Sequence, residues 1–259
     1  PELHKGVTNG AFVHNCGEIP LPDLGVCLLG HLNLPMFVNG TIGEGKINWE
    51  ELKKAIRLGV RFLDDVADYN PYHDPRIKET QMRDRRIGLG TLGLGEALIR
   101  MGVSYGEKSV PVVEEIYKFI AIEAYKASID LAEEKGSFPA FRYDKYVQSG
   151  FMKRLFPELP REYQKKLSKN GIRNVCLLTA APTGSGGTMV GTSTGIEPYF
   201  AFSYWRSGRL GTREIKERII QQYLEENNIN EDVILPDYFV TAGDITPEDH
   251  IMVQVTIQK

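Results

Sequence analysis

Cysteine is scarce: three in 259 residues, irregularly spaced and with no Cys-x-x-Cys pair, which excludes a secreted disulfide framework and a four-ligand zinc site. No apolar run approaches the roughly 18 residues of a membrane span, and no signal-peptide pattern is seen. Net charge is also small, -3 with a pI near 6.0, so there is no general attraction to nucleic acid or anionic lipid. A cytoplasmic, reducing setting with neither nucleic acid nor membrane as partner is the expectation, and any nucleotide chemistry must come from a local site. What is present is 42% hydrophobic residues, enough for a sizeable core. The first residue is Pro1 and residues 250–259 stop inside a helix-like pattern, so the sequence is read as a piece of a longer chain.

Residues 1–40, rich in Gly, Pro and Asn around short apolar runs such as Val26-Cys27-Leu28-Leu29, read as loops and strands. Asn48 with Glu51 signals a helix start, and Trp49, Leu52, Ile56, Val60, Leu63 and Val66 recur at helical spacing until Asn70-Pro71. Residues 83–102 carry Ile87, Leu89, Leu92, Leu94, Ala97, Leu98 and Met101 among glycines, which predicts a helix packed closely on other backbone. On that reading Gly88-x-Gly90-x-x-Gly93 is a packing feature rather than a dinucleotide fingerprint, which would need a strand before it. A long helix is predicted from about Ser109 to Lys135 with Gly136 past its end, and a buried strand over residues 175–181. Thr212 is read as the cap of a helix bearing Ile215, Ile219, Ile220 and Tyr223, and Thr246-Pro247-Glu248-Asp249 as the start of another. Helices mixed with buried strands make the fold class α/β.

The segment His4-Lys5-Gly6-Val7-Thr8-Asn9-Gly10-Ala11-Phe12-Val13-His14-Asn15, followed by Cys16, resembles the last two conserved blocks of inteins. Asparagine is one of few side chains that can reach its own carbonyl, imidazole transfers protons near neutral pH, and a thiol is an effective acyl acceptor. The resemblance implies that Asn15 cyclises, His14 and His4 assist, and Cys16 receives the acyl group. Residues 1–15 would then be an intein carboxyl-terminal segment, short and β-rich, whose amino-terminal half is missing. The plainer alternative is that Asn9-Gly10 is a hairpin turn and His14-Asn15 a polar surface pair.

After Cys16-Gly17-Glu18-Ile19-Pro20-Leu21 comes Cys27-Leu28-Leu29-Gly30-His31-Leu32-Asn33-Leu34, and together these resemble the active-site finger loop of ribonucleotide reductases. Side chains at i and i+2 of an extended loop point the same way, so Cys16 and Glu18 can address one substrate. The chemistry needs a radical that abstracts a hydrogen atom, a base and two electrons. A thiyl radical at Cys16 suits the first, the Glu18 carboxylate the second, and Cys27 in a thiol pair the third. The eleven-residue step from Cys16 to Cys27 looks like the adenosylcobalamin-dependent class. The family's second reducing cysteine lies upstream, and the Asn-Pro dipeptide usual before the radical cysteine is absent here, as an intein ending at Asn15 would explain. Read alone, Cys16 is a small buried hydrophobe, Glu18 a solvated carboxylate and Cys27 a core residue in an apolar run; Cys176 is left as core.

Ala180-Ala181-Pro182-Thr183-Gly184-Ser185-Gly186-Gly187-Thr188 and then Gly195-Ile196-Glu197-Pro198 resemble the reductase phosphate-binding segment. Glycines let backbone N–H groups approach phosphate oxygens, so Pro182, Thr183, Gly184, Ser185 and Gly186 are candidate substrate phosphate-binding residues, with a flexible turn as the alternative. Ser185-Gly186-Gly187 departs from a common Thr-Ile-Ser-like continuation, which leaves the number of phosphate contacts open. Arg85-Arg86-Ile87-Gly88 and Leu131-Ala132-Glu133-Glu134 open further segments similar to the family, so the resemblance runs over residues 16–259.

The resemblance implies part of a ten-stranded α/β barrel, about half of it here. It also implies reduction of ribonucleoside di- or triphosphates to deoxyribonucleotides with adenosylcobalamin and an external dithiol or thioredoxin-type reductant, once the missing amino-terminal half is supplied. No metal ligand set is found. A reductase using a metal-cofactor partner subunit, an inactive fragment and a nucleotide-binding module are the alternatives.

Overall fold

The computed structural model of the chain describes residues 5–8, 11–14, 21–208, 211–229 and 234–258. Strand β1 (Lys5–Thr8) pairs antiparallel with β2 (Ala11–His14), Thr8 opposite Ala11. The architecture proper begins with β3 (Leu28–Asn33), the short antiparallel pair β4 (Val38–Asn39) and β5 (Lys46–Ile47), and helix α1 (Trp49–Tyr69). The α1 start is as predicted: the Asn48 side chain accepts the Glu51 N–H at 3.2 Å. Its buried stripe is Leu52, Ile56, Val60, Leu63, Asp64 and Ala67. Helix α2 (Pro75–Asp84) follows, with Asp74 accepting the Arg76 N–H.

Residues 83–102 are not one helix. Ile87–Leu92 is a strand, β6, with all six residues buried, and only Leu94–Arg100 is helical, α3. The strand runs parallel to β3, Leu28 opposite Ile87 and Asn33 opposite Leu92. A parallel strand covered on both faces shows no alternation, so an apolar run with glycines offers no periodicity to separate it from a buried helix. The β6–α3 junction turns at Gly93, φ +77°, where a Cβ would stand 2.5 Å from Pro35 Cδ and 2.7 Å from Thr192 Oγ1. Gly93→Ala is therefore expected to cost about 1–3 kcal/mol, read as a lower urea midpoint at unchanged slope.

Helix α4 (Val110–Lys135) matches its prediction and ends at Gly136 in a positive-φ conformation. It packs beside α1 on one face of the strands: a Cβ on Gly30 would meet Leu63 Cδ2 at 3.3 Å, and one on Gly59 would meet Leu89 Cδ1 at 3.1 Å. Helices α5 (Tyr143–Val147), α6 (Gly150–Leu155) and α7 (Arg161–Asn170) lead to the predicted strand over 175–181. That segment runs parallel to β6 but forms one bridge, Leu89 with Leu178. Leu89 N–H donates to Leu177 O and Thr179 N–H to Leu89 O, whereas Ile87 N–H donates to Cys176 O, out of step with a regular ladder. This irregularity at Cys176 cuts the strand short. The described residues thus contribute two paired parallel strands and a third parallel segment joined to them by a single bridge, called the third strand below, and they do not close the predicted ten-stranded barrel.

Helix α8 (Ser185–Val190) precedes the antiparallel pair β7 (Ser203–Gly208) and β8 (Gly211–Lys216). The helix expected from Thr212 is thus a strand at its start; the Thr212 hydroxyl bonds Ser207 at 2.8 Å, and helix α9 spans Arg218–Asn227. The i, i+4 match of Ile215 with Ile219 arises across a strand–helix boundary. Helix α10 (Pro247–Gln258) starts on a reciprocal box, Thr246 N–H to Asp249 Oδ2 at 3.1 Å and Asp249 N–H to Thr246 Oγ1 at 3.2 Å. No helix is long and apolar enough to cross a membrane among the described residues.

The amino-terminal ends of the strands are held by buried charge. Asp64 accepts from Arg85 Nε at 2.9 Å, Arg173 Nε at 3.1 Å and Asn174 Nδ2 at 3.0 Å, and Arg85 also reaches Asp68. Asn174 is in turn bonded to Ser128 on α4. One network therefore ties α1, α4, Arg85 between α2 and β6, and the loop before the third strand.

Candidate active site

On the side opposite Gly30, which packs on Leu63 of α1, Cys27 just before β3 and Leu29, His31 and Asn33 within it follow one another with the period of two that a strand imposes. Opposite them β6 presents glycine. A Cβ on Gly88 would lie 2.7 Å from Leu29 Cδ2, 2.9 Å from Cys27 Sγ and 3.2 Å from Thr179 Cγ2. One on Gly90 would lie 2.9 Å from both His31 Cδ2 and the Thr179 carbonyl oxygen. The two glycines clear a strip across which β3 side chains lean toward the third strand. Cys27 is half-buried there, not sealed in the core. Asn33 Oδ1 and Thr179 Oγ1 are buried polar atoms without a hydrogen-bond partner, which is where a polar ligand or water would be bound most favourably.

The third strand delivers the glycine-rich segment. Ala181 is buried, while Pro182, Gly184 and Ser185 are exposed. Gly184 has φ +45°, and Gly186 N–H donates to Thr183 O at 2.8 Å, closing a tight turn into α8. Thr183 Oγ1 accepts the Gly195 N–H at 2.9 Å, so its oxygen braces the second motif and its own O–H remains able to donate. That second motif is clamped on α3. Gly93 N–H donates to Ser193 O at 2.9 Å, Ser193 Oγ accepts the Glu96 N–H at 3.2 Å, and Tyr105 donates to Ile196 O at 3.0 Å. Tyr199 donates to Glu96 Oε2 at 2.7 Å; burial, then the Glu96 charge, pushes its hydroxyl pKa far up, so it stays a donor. A cavity of about 1000 Å³ is bounded by Gly90, Thr179, Pro182, Gly184, Gly195 and Glu197. Both motifs therefore line one space, although Cys27 is not among its lining residues.

Of the residues singled out from sequence, Cys27 lies just before β3, and the 182–186 segment lies beyond β6, in the turn into α8. Cys16 and Glu18 lie outside the described residues, as do His4 and Asn15; His14 is the last residue of β2. Cys176 is half-buried rather than core, and it lines a second cavity of about 780 Å³ with Tyr125 and Tyr146. The carboxylates of Asp64, Asp65 and Asp68 lie close together, but Arg85, Arg173 and Lys135 neutralise them, and a metal has no claim there. Sequence reasoning did not single out His31, whose signal is its place four residues, and so one face, from Cys27.

Residues 14–259 match the family "Ribonucleotide reductase, barrel domain", and the chain belongs to that family. Among curated relatives, a vitamin B12-dependent ribonucleoside-diphosphate reductase of Mycobacterium tuberculosis (strain CDC 1551 / Oshkosh) is 31% identical, with 94% of this chain and 35% of that protein aligned. One of the same description from Thermoplasma acidophilum is 33% identical over 98% of this chain and 33% of its own length. A ribonucleoside-diphosphate reductase subunit alpha of Chlamydia pneumoniae is 28% identical over 92% of this chain and 24% of that protein. The chain spans about a third of the length of the first two of these relatives.

Proposed function

We propose that this chain forms the substrate-reducing part of a ribonucleotide reductase barrel of the cobalamin-dependent kind. The observation that carries the reading is the strip over Gly88 and Gly90, which opens a thiol, Cys27, on the same sheet face that leads through Thr179 and Ala181 into the glycine-rich segment. From Cys27 to His31, whose ring reaches the Ala181 carbonyl just before that segment, is four residues at about 3.3 Å each, roughly 13 Å along the strand. A nucleotide laid along the strands can address both.

In this reading the Cys16 thiyl takes the hydrogen atom from C3′ and Glu18 takes the 3′-hydroxyl proton. The 2′-hydroxyl leaves as water, and Cys27 with a second cysteine from the remainder of the enzyme supplies two electrons and two protons, closing a disulfide. The hydrogen atom then returns to C3′. An external dithiol or thioredoxin-type protein reopens the disulfide. Backbone N–H groups of residues 183–186 would hold the terminal phosphate of a ribonucleoside di- or triphosphate. Adenosylcobalamin would supply the radical when bound. The described sheet face offers one thiol, glycines and one imidazole beside a carbonyl, which does not build a corrin site, so no residue here is assigned to it. Two relatives described as vitamin B12-dependent favour this class over one with a metal-cofactor subunit.

Residues 1–15 are proposed to be an intein carboxyl-terminal segment, with His4, His14 and Asn15 acting at the Cys16 junction; the β1–β2 pair and a family match that starts at residue 14 are compatible with it. A second reading has support, because the Thermoplasma alignment leaves only about 2% of the chain outside and so extends into this segment. Co-expression with an upstream intein half, followed by intact mass spectrometry, separates the two. Splicing predicts a product that begins its downstream portion at Cys16 and disappears with Asn15→Ala. Retention of residues 1–15 in both samples means that the intein reading fails or that its activity is lost.

A further inference from the structure

His31 lies on the strip between Cys27 and the glycine-rich segment, and its geometry is specific. The imidazole occupies the space that Gly90 leaves open, with Cδ2 and Nε2 2.9 and 3.1 Å from where a Cβ would be. It spans β6 and brings Nε2 to 3.3 Å from the Ala181 carbonyl oxygen, 150 residues away in sequence. Only an N–H can bond a carbonyl, so the tautomer that fits donates from Nε2. Ala181 immediately precedes Pro182, and its carbonyl fixes the direction in which the chain enters Thr183 and Gly184. The neighbouring buried Thr179 Oγ1 has no hydrogen-bond partner and adds no tether of its own.

We propose that His31 is a positioning residue of the phosphate site: its bond to Ala181 sets where the 182–186 segment starts relative to Cys27. The inference rests on the reading of that segment as the phosphate binder. Glycine at position 90 is then a requirement of the imidazole's path, since any side chain there meets the ring. A hydrogen bond from Nε2 can be reproduced by glutamine, whose Nε2 reaches a comparable position, but not by alanine.

The test titrates inorganic diphosphate into the 259-residue chain by calorimetry, for the wild type, His31→Ala and His31→Gln, with backbone amide spectra of Thr183, Gly184 and Gly186. His31→Ala should bind about fivefold more weakly, the loss of one net hydrogen bond, with those amides displaced. His31→Gln should return to within about twofold of the wild type. Equal binding by wild type and His31→Ala, or failure of His31→Gln to rescue, overturns the positioning role while leaving the phosphate site standing. A wild type that binds no diphosphate and shows no amide shifts overturns the phosphate reading, and the role of His31 with it.

Discussion

Asp64→Ala should lower folding stability by about 3–5 kcal/mol, more than any exposed charge change in the molecule. Asp64 is 0% exposed, and Arg85, Arg173 and Asn174 converge on it. Removing the carboxylate leaves Arg85, itself 4% exposed, with Asp68, 41% exposed, as its one other carboxylate partner among the described residues. Leaving a buried cation underpaired is what makes the loss large. The contrast is the Arg61–Glu134 pair, whose side chains are 43% and 52% exposed; water screens such a pair, so Glu134→Gln should barely move the urea midpoint. Urea midpoints of the two variants read the difference directly. The same network gives an acid limb. Burial by itself would raise the Asp64 pKa, but the hydrogen bond and charge of Arg85, then those of Arg173, outweigh it and hold the group below 3.8. A depressed folded value means that the stabilisation is fully present above the unfolded value of about 4 and is lost as pH falls through the folded one. Asp64→Asn should flatten that limb, and an unchanged acid midpoint would assign acid unfolding to other carboxylates.

How much of this was legible follows from the range of the forces involved. The starts of α1 and α10 are set by hydrogen bonds between residues three apart, Asn48 with Glu51 and Thr246 with Asp249, and such signals are written locally. The end of α4 at Gly136 is local in the same sense. Strand β6 has no local signature because its identity comes from β3 and the third strand, 59 residues before it and 89 residues after it at Leu28–Ile87 and Leu89–Leu178. Its glycines point to close packing, but they lie on a strand rather than the expected helix, and what packs on them is the side-chain row of Cys27, Leu29 and His31. Asp64 stood one residue off an apolar stripe, and nothing near it in sequence announces Arg173. The motifs at 27–34 and 182–198 stand out in the sequence through residue types three to a dozen positions apart. That a histidine from the first touches the backbone of the second is a property of the packed sheet alone.

If Cys27 is the reductant proposed above, Cys27→Ser should abolish multiple-turnover deoxyribonucleotide formation by the reassembled enzyme, by a thousandfold or more on the order of other losses of an essential reacting group. Serine preserves the size and position of the side chain beside Gly88, so the fold has no reason to change. What it removes is the ability to close a disulfide, and without that the two electrons needed to expel the 2′-hydroxyl as water have no source. Diphosphate binding should stay within about twofold, because the glycine-rich segment begins roughly 13 Å along the strands. Cys176→Ser is the matched control: its thiol lies in the cavity with Tyr125 and Tyr146, not on the Gly88 strip, and turnover should be retained. Loss of turnover in the Cys27 variant alone, with binding intact, separates the reductant from the substrate site. Turnover that survives Cys27→Ser would return Cys27 to a packing role and require the reducing thiols to come from elsewhere in the enzyme.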